Sequence, residues 1–478
     1  MVTPSDTSQL EVPPALSTFE NVILPNIDDY ARWDIRIEGG KAVSRVPSSS
    51  SSPPSLLLPA LCHPHVHLDK PYILTCNHDS SSYPDYTDLA PQSGSFHEAL
   101  TNTSAAKARY TTEDLYRRGS QLLAESYARH GVTSMRAFVE VDHVVEFKTL
   151  EAAVRLKRDF AHLVDVQICL FAQDPIFSTA HGPENRRLVV EALDTYSNVV
   201  EALGTTPYVE QASHSGSKAE METKNIKWAV DTALERGLHL DFHLDYNLDE
   251  TQASSLSQVI SQARSSNWAD KSKAGKTIVI GHCTQLTTQR TGHLQEIAAL
   301  IKEAPELPIH FVGLPTSDLF MMGRPGPQIE TEDGKAHHLP HSRPRGTMQI
   351  PSMIKDFGLA GCLGVNNVGN AFTPFGDGDP LQLACWGTGV YQAGTAEDAQ
   401  LLYECVSHRA RRAIGLLPDH EPEDTFGVCL PSLLVRNRQD IVLPGRNGET
   451  MIVPARPRLS VKDVVWDPPD SMLRQVIR

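Results

Sequence analysis

Three runs of apolar residues in the middle of the chain end in histidine. Residues 56–61 and 277–280 are nearly continuous apolar runs, and residues 238–244 alternate between apolar and polar positions. Runs of this length predict β-strands, because a strand buried on both faces is apolar throughout and a half-buried strand alternates. The histidines at the ends of these runs are His65, His67, His243 and His282.

Between these strands, apolar positions recur with helical spacing. Helices are predicted at residues 112–129, 150–158, 184–203, 218–236, 294–303, 349–357 and 396–413. Strands that alternate with helices in this way predict a (β/α)8 barrel of the TIM type, in which the carboxyl ends of the strands form the active-site face. The four histidines are therefore expected to meet at one mouth of the barrel.

The two ends of the chain carry short β patterns instead. Strands joined by turns are predicted at residues 19–24, 33–43, 429–436, 440–444, 449–453 and 457–461. We expect them to form one small β-sandwich domain that is shared by both termini. The predicted domains are residues 18–58 and 416–478 for the two parts of the sandwich and residues 59–415 for the barrel.

Composition and charge narrow the classes of partner. The 478 residues carry a formal net charge of −15, which argues against binding to nucleic acid or to an anionic membrane, because both need a basic surface. No stretch approaches the roughly 20 apolar residues of a membrane span. The chain starts without a secretory signal pattern, and its eight Cys residues form no CxxC pair. We expect a cytoplasmic protein with a small-molecule substrate, and large barrels of this kind often form homo-oligomers.

The spacing of the first two histidines suits a metal ion. Side chains at positions i and i+2 of a strand share a face, so His65 and His67 can reach one ion while Val66 points into the opposite layer. With His243 and His282 at the same mouth, the sequence predicts one divalent metal ion, zinc in the first place and iron as the alternative.

The residues around these histidines resemble the amidohydrolase superfamily, in its cytosine deaminase-like branch. The matching segments are residues 59–70 (PALCHPHVHLDK), 171–176 (FAQDPI), 242–246 (FHLDY), 281–284 (GHCT), 314–324 and 344–347. The resemblance implies that His65, His67 and His243 are the metal ligands. It also implies that His282 is a catalytic residue that polarises the substrate or stabilises the attacking water, and that Gln173 binds a heterocyclic substrate.

Two positions depart from that family's pattern. Where the resemblance implies a metal-bound Asp that acts as general base, the chain has Asn366, and where it implies a Glu proton shuttle, the chain has Tyr246. A carboxylate can accept a proton from zinc-bound water near neutral pH, whereas an Asn amide cannot. We therefore expect Asn366 to bind substrate, His282 to act as general base or oxyanion stabiliser, and Tyr246 to donate a hydrogen bond to substrate.

Other polar residues near these motifs have two interpretations each. Asp245 follows the third metal ligand by two residues and is expected to orient its imidazole, with the role of a substitute carboxylate as the alternative. Asp377 and Asp379 are further candidates for that substitute role. Asp69 and Lys70 are expected to take part in an ion pair that supports the first strand, with contact between Lys70 and substrate as the alternative.

The leading hypothesis is a metal-dependent hydrolase that acts on a non-peptide C–N bond of a cyclic amide, amidine or N-heterocycle. One alternative keeps the barrel and uses the metal as a Lewis acid in a lyase or cyclase reaction. Another is a catalytically inactive binding paralogue, in which the histidines themselves would be expected to have decayed. All four histidines are present.

Overall fold

The structure is a computed structural model that describes residues 18–25, 28–75, 83–214, 216–323, 346–417, 428 and 430–478. Several residues that carry sequence predictions lie outside these ranges: Cys76, Cys429, Arg324, residues 344–345 and residues 418–427. No helix in the described ranges is both long and apolar enough to cross a membrane.

Sixteen strands are present in the described residues. In chain order, β1 to β16 are Thr18–Leu24, Asp28–Glu38, Lys41–Pro47, Ser55–Pro59, Leu61–His67, Val132–Glu140, Asp165–Ala172, Val200–Thr205, His239–Leu244, Ile278–His282, Ile309–Gly313, Gly361–Leu363, Ser432–Val435, Ile441–Pro444, Thr450–Val453 and Arg474–Ile477.

The same residues contain fourteen α-helices. In chain order, α1 to α14 are Phe96–Lys107, Thr112–Glu125, Lys148–Phe160, Gly182–Thr195, Lys218–Arg236, Leu256–Ser265, Trp268–Lys271, Thr291–Lys302, Pro315–Met321, Ile350–Lys355, Pro380–Val390, Ala396–Cys405, His408–Ala413 and Val461–Trp466.

Strands β5 to β12 form an eight-stranded parallel sheet in chain order, with helices between successive strands. Backbone hydrogen bonds close this sheet on itself. The His67 amide donates to the Asn366 carbonyl (2.9 Å) and the Asn366 amide donates to the His65 carbonyl (3.0 Å), so the chain just after β12 pairs with β5. The predicted (β/α)8 barrel is therefore confirmed.

The local sequence explains why these elements form. Strands β5, β6 and β9 are buried along their whole length, as expected for strands covered on both faces. Helix α5 begins with a capping box, in which Ser217 and Glu220 each accept a hydrogen bond from the other's backbone amide, and it ends at Gly237 with a left-handed φ of +66°.

Two predicted helices were too long. The predicted helix at 184–203 ends at Thr195 as α4, and β8 begins at Val200, because the β-branched residues Val199 and Val200 favour a strand over the end of a helix. The predicted helix at 396–413 is interrupted between α12 and α13, where Ser407 has the non-helical φ and ψ of −131° and −98°.

The second sheet contains both ends of the described chain. It has six strands in the order β16-β13-β4-β1-β2-β3, and its core includes Phe19, Val22, Ile35, Leu57 and Leu434. The described residues up to Ala60, those from 428 to Ser460 and those from Pro469 onwards form one compact unit. The described residues from Leu61 to 417, together with Val461–Pro468, form the other. A separate β-domain made from both termini is thus confirmed.

Part of the C-terminal prediction was wrong in detail. The strands predicted at 440–444 and 449–453 exist as β14 and β15, but they pair only with each other among the described strands. Residues 457–460 are not in a strand, and Val461 begins α14.

A buried ion pair lies inside the barrel. Arg136 on β6 donates through Nη1 to Asp241 Oδ2 on β9 (2.9 Å) and through Nε to Gln167 Oε1 on β7 (2.6 Å). Gln167 Nε2 in turn donates to the Ile414 carbonyl (3.0 Å). Arg136 and Asp241 have no solvent exposure, so three strands are joined by charged and polar groups that water does not reach.

We expect Arg136→Met to lower the free energy of unfolding by about 3 to 5 kcal/mol, because it leaves the Asp241 carboxylate buried without its cation. Chemical denaturation in the presence of a chelator measures this. The double variant Arg136→Met/Asp241→Asn should recover most of the loss. Arg155→Met, which breaks a solvent-exposed pair with Glu113, should change stability little. A small loss in Arg136→Met would contradict the proposed role of the pair.

Candidate metal centre and active site

Three imidazoles converge at the carboxyl end of the barrel. His65 and His67 come from β5 and His243 comes from β9. The Nε2 atom of His243 lies 3.1 Å from Nε2 of His65 and 3.3 Å from Nε2 of His67. All three side chains are buried. The structure therefore brings together the three residues that the sequence predicted as metal ligands.

These residues fit a divalent cation. A tetrahedral zinc ion with bonds of about 2.0 Å separates its nitrogen ligands by about 3.3 Å, and the two distances from His243 agree with this value. Ring nitrogens of His65, His243 and His282 also lie within 4.8 Å of one another, so His282 is close enough to the cluster to be a further candidate ligand. A single hydrogen bond cannot satisfy three facing Nε2 atoms, whereas one shared cation can. Burial, reinforced by neighbouring positive groups, lowers the pKa of His65, His67 and His243 well below the usual value, so these imidazoles are neutral, as metal ligands must be.

A third histidine on β5, His63, is kept out of this cluster. Strict alternation would put His63, His65 and His67 on one face. The pairing of β5 with β6 shifts register between His63 and Val66, and the His63 ring turns away to lie 3.3 Å from Ser126 Oγ. This bulge, next to Pro64, explains why only two of the three histidines of β5 reach the site.

His282 ends β10 and lies beside the cluster. Its ring centroid is 4.9 Å from that of His243, and its Nδ1 donates to Asp318 Oδ1 on α9 (2.9 Å). Asp318 is fully buried, and its other oxygen accepts from Thr347 Oγ1 (2.9 Å). Because Nδ1 is bound to a carboxylate, the free nitrogen of His282 is Nε2. Gly281 makes room for the cluster, since a Cβ at that position would lie 3.1 Å from Cε1 of His65.

Sequence reasoning missed the role of Asp318. The residue lies within the segment 314–324 that resembles the family, but nothing in its spacing ties it to His282. The available signal was its position in the first turn of a helix directly after a barrel strand, since such residues lie on the active-site face.

Asn366 and Tyr246 also reach the site. Asn366 lies where the barrel closes, with a left-handed φ of +65°, and its buried Oδ1 has no hydrogen-bond partner in the described chain. The Tyr246 ring contacts the His282 ring at a centroid distance of 4.0 Å, and its buried hydroxyl is likewise without a partner in the described ranges. Burial raises the pKa of Tyr246 well above its usual value, so the hydroxyl keeps its proton and can donate it in a hydrogen bond.

A partly enclosed cavity opens over this cluster. Its walls are formed by His67, Lys70, Phe96, Leu100, Gln173, Tyr208, His243, Tyr246, His282, Asn366, Asn367 and Phe372. Gln173 is thus placed where the sequence predicted a residue that binds substrate. No Asp or Glu is among these described wall residues.

The expected role of Asp245 was wrong. Its carboxylate accepts from Ser254 Oγ (2.5 Å) and from the Ser255 amide, so it does not orient His243. Asp245 has a left-handed φ of +44° just after β9, which ends the alternation on which the prediction was based. Asp377 and Asp379 are not in the cavity wall either: Asp377 lies 3.7 Å from His130, and Asp379 caps α11 by accepting from the Leu381 amide.

The ion pair predicted at the end of the first strand has a different partner. Lys70 pairs with Glu140 at the end of β6, and Lys107 lies 2.8 Å from the second oxygen of the same carboxylate. Asp69 accepts from the Glu140 amide through Oδ2 (2.9 Å). Lys70 also lies in the cavity wall. This one lysine therefore both pairs with the neighbouring strand and lines the cavity.

Comparison with known proteins adds a fold relationship. No protein-family model and no curated protein matches the sequence. A 5-methylcytosine deaminase from Klebsiella pneumoniae has a similar structure, with a TM-score of 0.71 and 18% identity over 96% of this chain and 97% of the deaminase.

Two other solved structures are similar to the chain. An N-isopropylammelide isopropylaminohydrolase from Burkholderia multivorans has a TM-score of 0.61 and 19% identity over 96% of this chain and 97% of its own. An adenosine deaminase from Xanthomonas campestris with bound zinc has a TM-score of 0.53 and 14% identity over 87% of this chain and 83% of its own. The chain therefore shares the fold of these three solved structures.

Proposed function

We propose that this protein is a metal-dependent hydrolase that acts on a non-peptide C–N bond of a cyclic amide, amidine or N-heterocycle. The observation that carries the proposal is the convergence of three neutral imidazoles at the floor of a partly enclosed cavity. The fold supports this proposal. Of the three similar structures described above, the two with the higher TM-scores are a 5-methylcytosine deaminase and an N-isopropylammelide isopropylaminohydrolase.

His65, His67 and His243 would hold the metal ion. Zinc is favoured, with iron as the alternative, because the three ligands are all imidazole nitrogens. When bound, such an ion lowers the pKa of water and polarises the carbon to be attacked. The protein residues in the cavity wall then have to accept a proton and position the substrate.

In this proposal His282 accepts that proton. Asp318 holds its Nδ1–H at 2.9 Å, which fixes the tautomer with a free Nε2. Since the described wall of the cavity contains no Asp or Glu, His282 takes the part that a carboxylate base would otherwise have.

Three other residues would hold the substrate. Gln173 offers a paired donor and acceptor to the edge of a heterocycle. Tyr246 and Asn366 present a hydroxyl and an amide oxygen that have no partner in the described chain, and a substrate in the cavity would supply one. Phe96, Leu100 and Phe372 form the apolar part of the wall, which suits a flat ring.

The first prediction concerns metal content. We expect the purified protein to contain about one zinc or iron ion per chain, and His67→Ala and His243→Ala to lose it, because two imidazoles are too few for stable binding. Elemental mass spectrometry measures this without a substrate. His63→Ala removes a buried histidine of the same strand that faces away from the cluster and should keep the metal. Full metal occupancy in His67→Ala would rule out this ligand set.

The second prediction concerns Asp318. Once a metal-loaded screen of cyclic amides and aminoheterocycles has identified a substrate, Asp318→Asn should lower kcat by about 100-fold or more while metal content stays the same, because the imidazole loses the carboxylate that fixes its tautomer. Thr347→Val, which removes only the hydroxyl bound to Asp318, should have a much smaller effect. Unchanged kcat in Asp318→Asn would show that His282 does not act as the base.

The third prediction concerns Asn366. Asn366→Asp places a carboxylate among the metal ligands with almost no change in shape, so we expect the metal to be held more tightly against a chelator and slow hydrolysis of aminoheterocycles to increase. Competition with a chromogenic chelator measures the affinity. Weaker metal binding in this variant would mean that residue 366 does not face the ion.

A further inference from the structure

The hairpin formed by β14 and β15 leaves six aliphatic side chains in water. These are Ile441, Val442, Leu443, Met451, Ile452 and Val453, and their exposed fractions run from 39% for Val453 to 64% for Val442. They are contiguous on one hairpin and leave on the order of 500 Å² of apolar surface exposed. Patches of this size on a folded protein are commonly interaction sites.

Both faces of the hairpin are apolar. The pairs Val442 with Ile452 and Leu443 with Met451 are directly opposite each other in the antiparallel register, and side chains alternate between faces. One face therefore carries Val442 and Ile452, and the other carries the remaining four. Continuous apolar runs are typical of strands that are covered on both faces, whereas here both faces are open.

Hydrogen bonds join the two chain segments at the open end of the hairpin, which is called its base here. Asn437 and Arg458 close the base, since the Arg458 amide donates to Asn437 Oδ1 (2.6 Å) and Asn437 Nδ2 donates to the Arg458 carbonyl. At the tip, the Gly445 amide donates to the Glu449 carbonyl (2.7 Å). In the described structure β14 and β15 pair with no third strand. A two-stranded hairpin alone in water is only marginally stable, so contacts beyond one chain would stabilise it.

Charge selects the kind of partner. The chain carries a net charge of −15. A basic partner would therefore be attracted to much of its surface, whereas a second copy of this chain would be repelled except at a surface that carries no charge. Neither strand of the hairpin contains an ionisable residue. The tip carries one Arg and one Glu, Arg446 and Glu449, so that two tips related by a two-fold axis can pair opposite charges.

The exposed apolar area of the hairpin is also consistent with a second copy of this chain as the partner. An exposed apolar patch on the order of 500 Å² is the main part of the roughly 800 Å² that each partner buries in a stable interface. We propose that the hairpin of residues 441–453 is a dimerisation arm, which packs its aliphatic faces against a second copy of this chain.

Light scattering after size exclusion tests the proposal on the full-length protein. We expect a mass of twice 52.6 kDa for the wild type. The double variant Val442→Lys/Ile452→Lys should give the mass of one chain, because lysines in an apolar contact weaken association by about 100-fold or more. Met472→Lys is the matched control, since Met472 is an apolar residue with 87% exposure outside the hairpin, and this variant should remain dimeric.

A wild-type protein that is monomeric over a dilution series would overturn the proposal. So would a dimer that persists in the double variant while its circular dichroism spectrum matches that of the wild type. Flotation with neutral phosphatidylcholine vesicles tests a lipid surface as the occupant. Flotation of the wild type that the double variant loses would assign the hairpin to a membrane and also overturn the dimer. A dimer that is lost when residues 1–17 are removed, with the hairpin unchanged, would assign the interface to that segment instead.

Discussion

The closure of the barrel is the constraint on which the site depends. Two backbone hydrogen bonds join Asn366 to β5, one to the amide of His67 and one to the carbonyl of His65. They fix the last strand of the sheet beside the first, so a residue near position 366 in the chain becomes the neighbour of residues near position 65. Without this closure, His65 and His67 would stand at a sheet edge, open to water. With it they are buried, neutral and aimed at His243.

The backbone changes direction where the strands meet the cavity. Asp245, His282, Cys283 and Asn366 all have left-handed φ values, between +44° and +65°, and all follow or end a barrel strand. For residues with a side chain this conformation costs of order 1 kcal/mol or more, and it concentrates at functional sites. In this site the left-handed backbone changes the direction in which side chains point. At Asp245 it turns a carboxylate away from the cluster, and at Asn366 it accompanies a side chain that reaches the cavity wall.

The sequence was sufficient for some features of the site and not for others. The alternation of β5 and the apolar runs before His243 and His282 predicted the barrel and the convergence of four strand-end histidines on one mouth, because strand periodicity and strand ends are local properties. The choice of three of them as metal ligands came from the family resemblance. The turn of His63 toward Ser126 could not be predicted in this way, since it depends on a register shift against β6.

The partners of the charged residues were also beyond the sequence. Asp318 is 36 residues from His282, and Glu140 is 70 residues from Lys70, and no periodicity relates such distant residues. The hairpin of β14 and β15 shows the same limit. Its strands were predictable from their composition, but the sheet to which they belong was not.

The carboxylates near the site lie behind the imidazoles and not in the cavity. Asp318 binds the outer nitrogen of His282 at 2.9 Å, and Asp241 and Asp69 lie 3.9 Å from the outer nitrogens of His65 and His67. Carboxylates in this position can orient the imidazoles without occupying the cavity. The polar groups of the described cavity wall are imidazoles, amides, phenol hydroxyls and one lysine. Under the proposed function, a proton released in that cavity would have an imidazole or the substrate itself as its acceptor, and His282 is the imidazole proposed for that role.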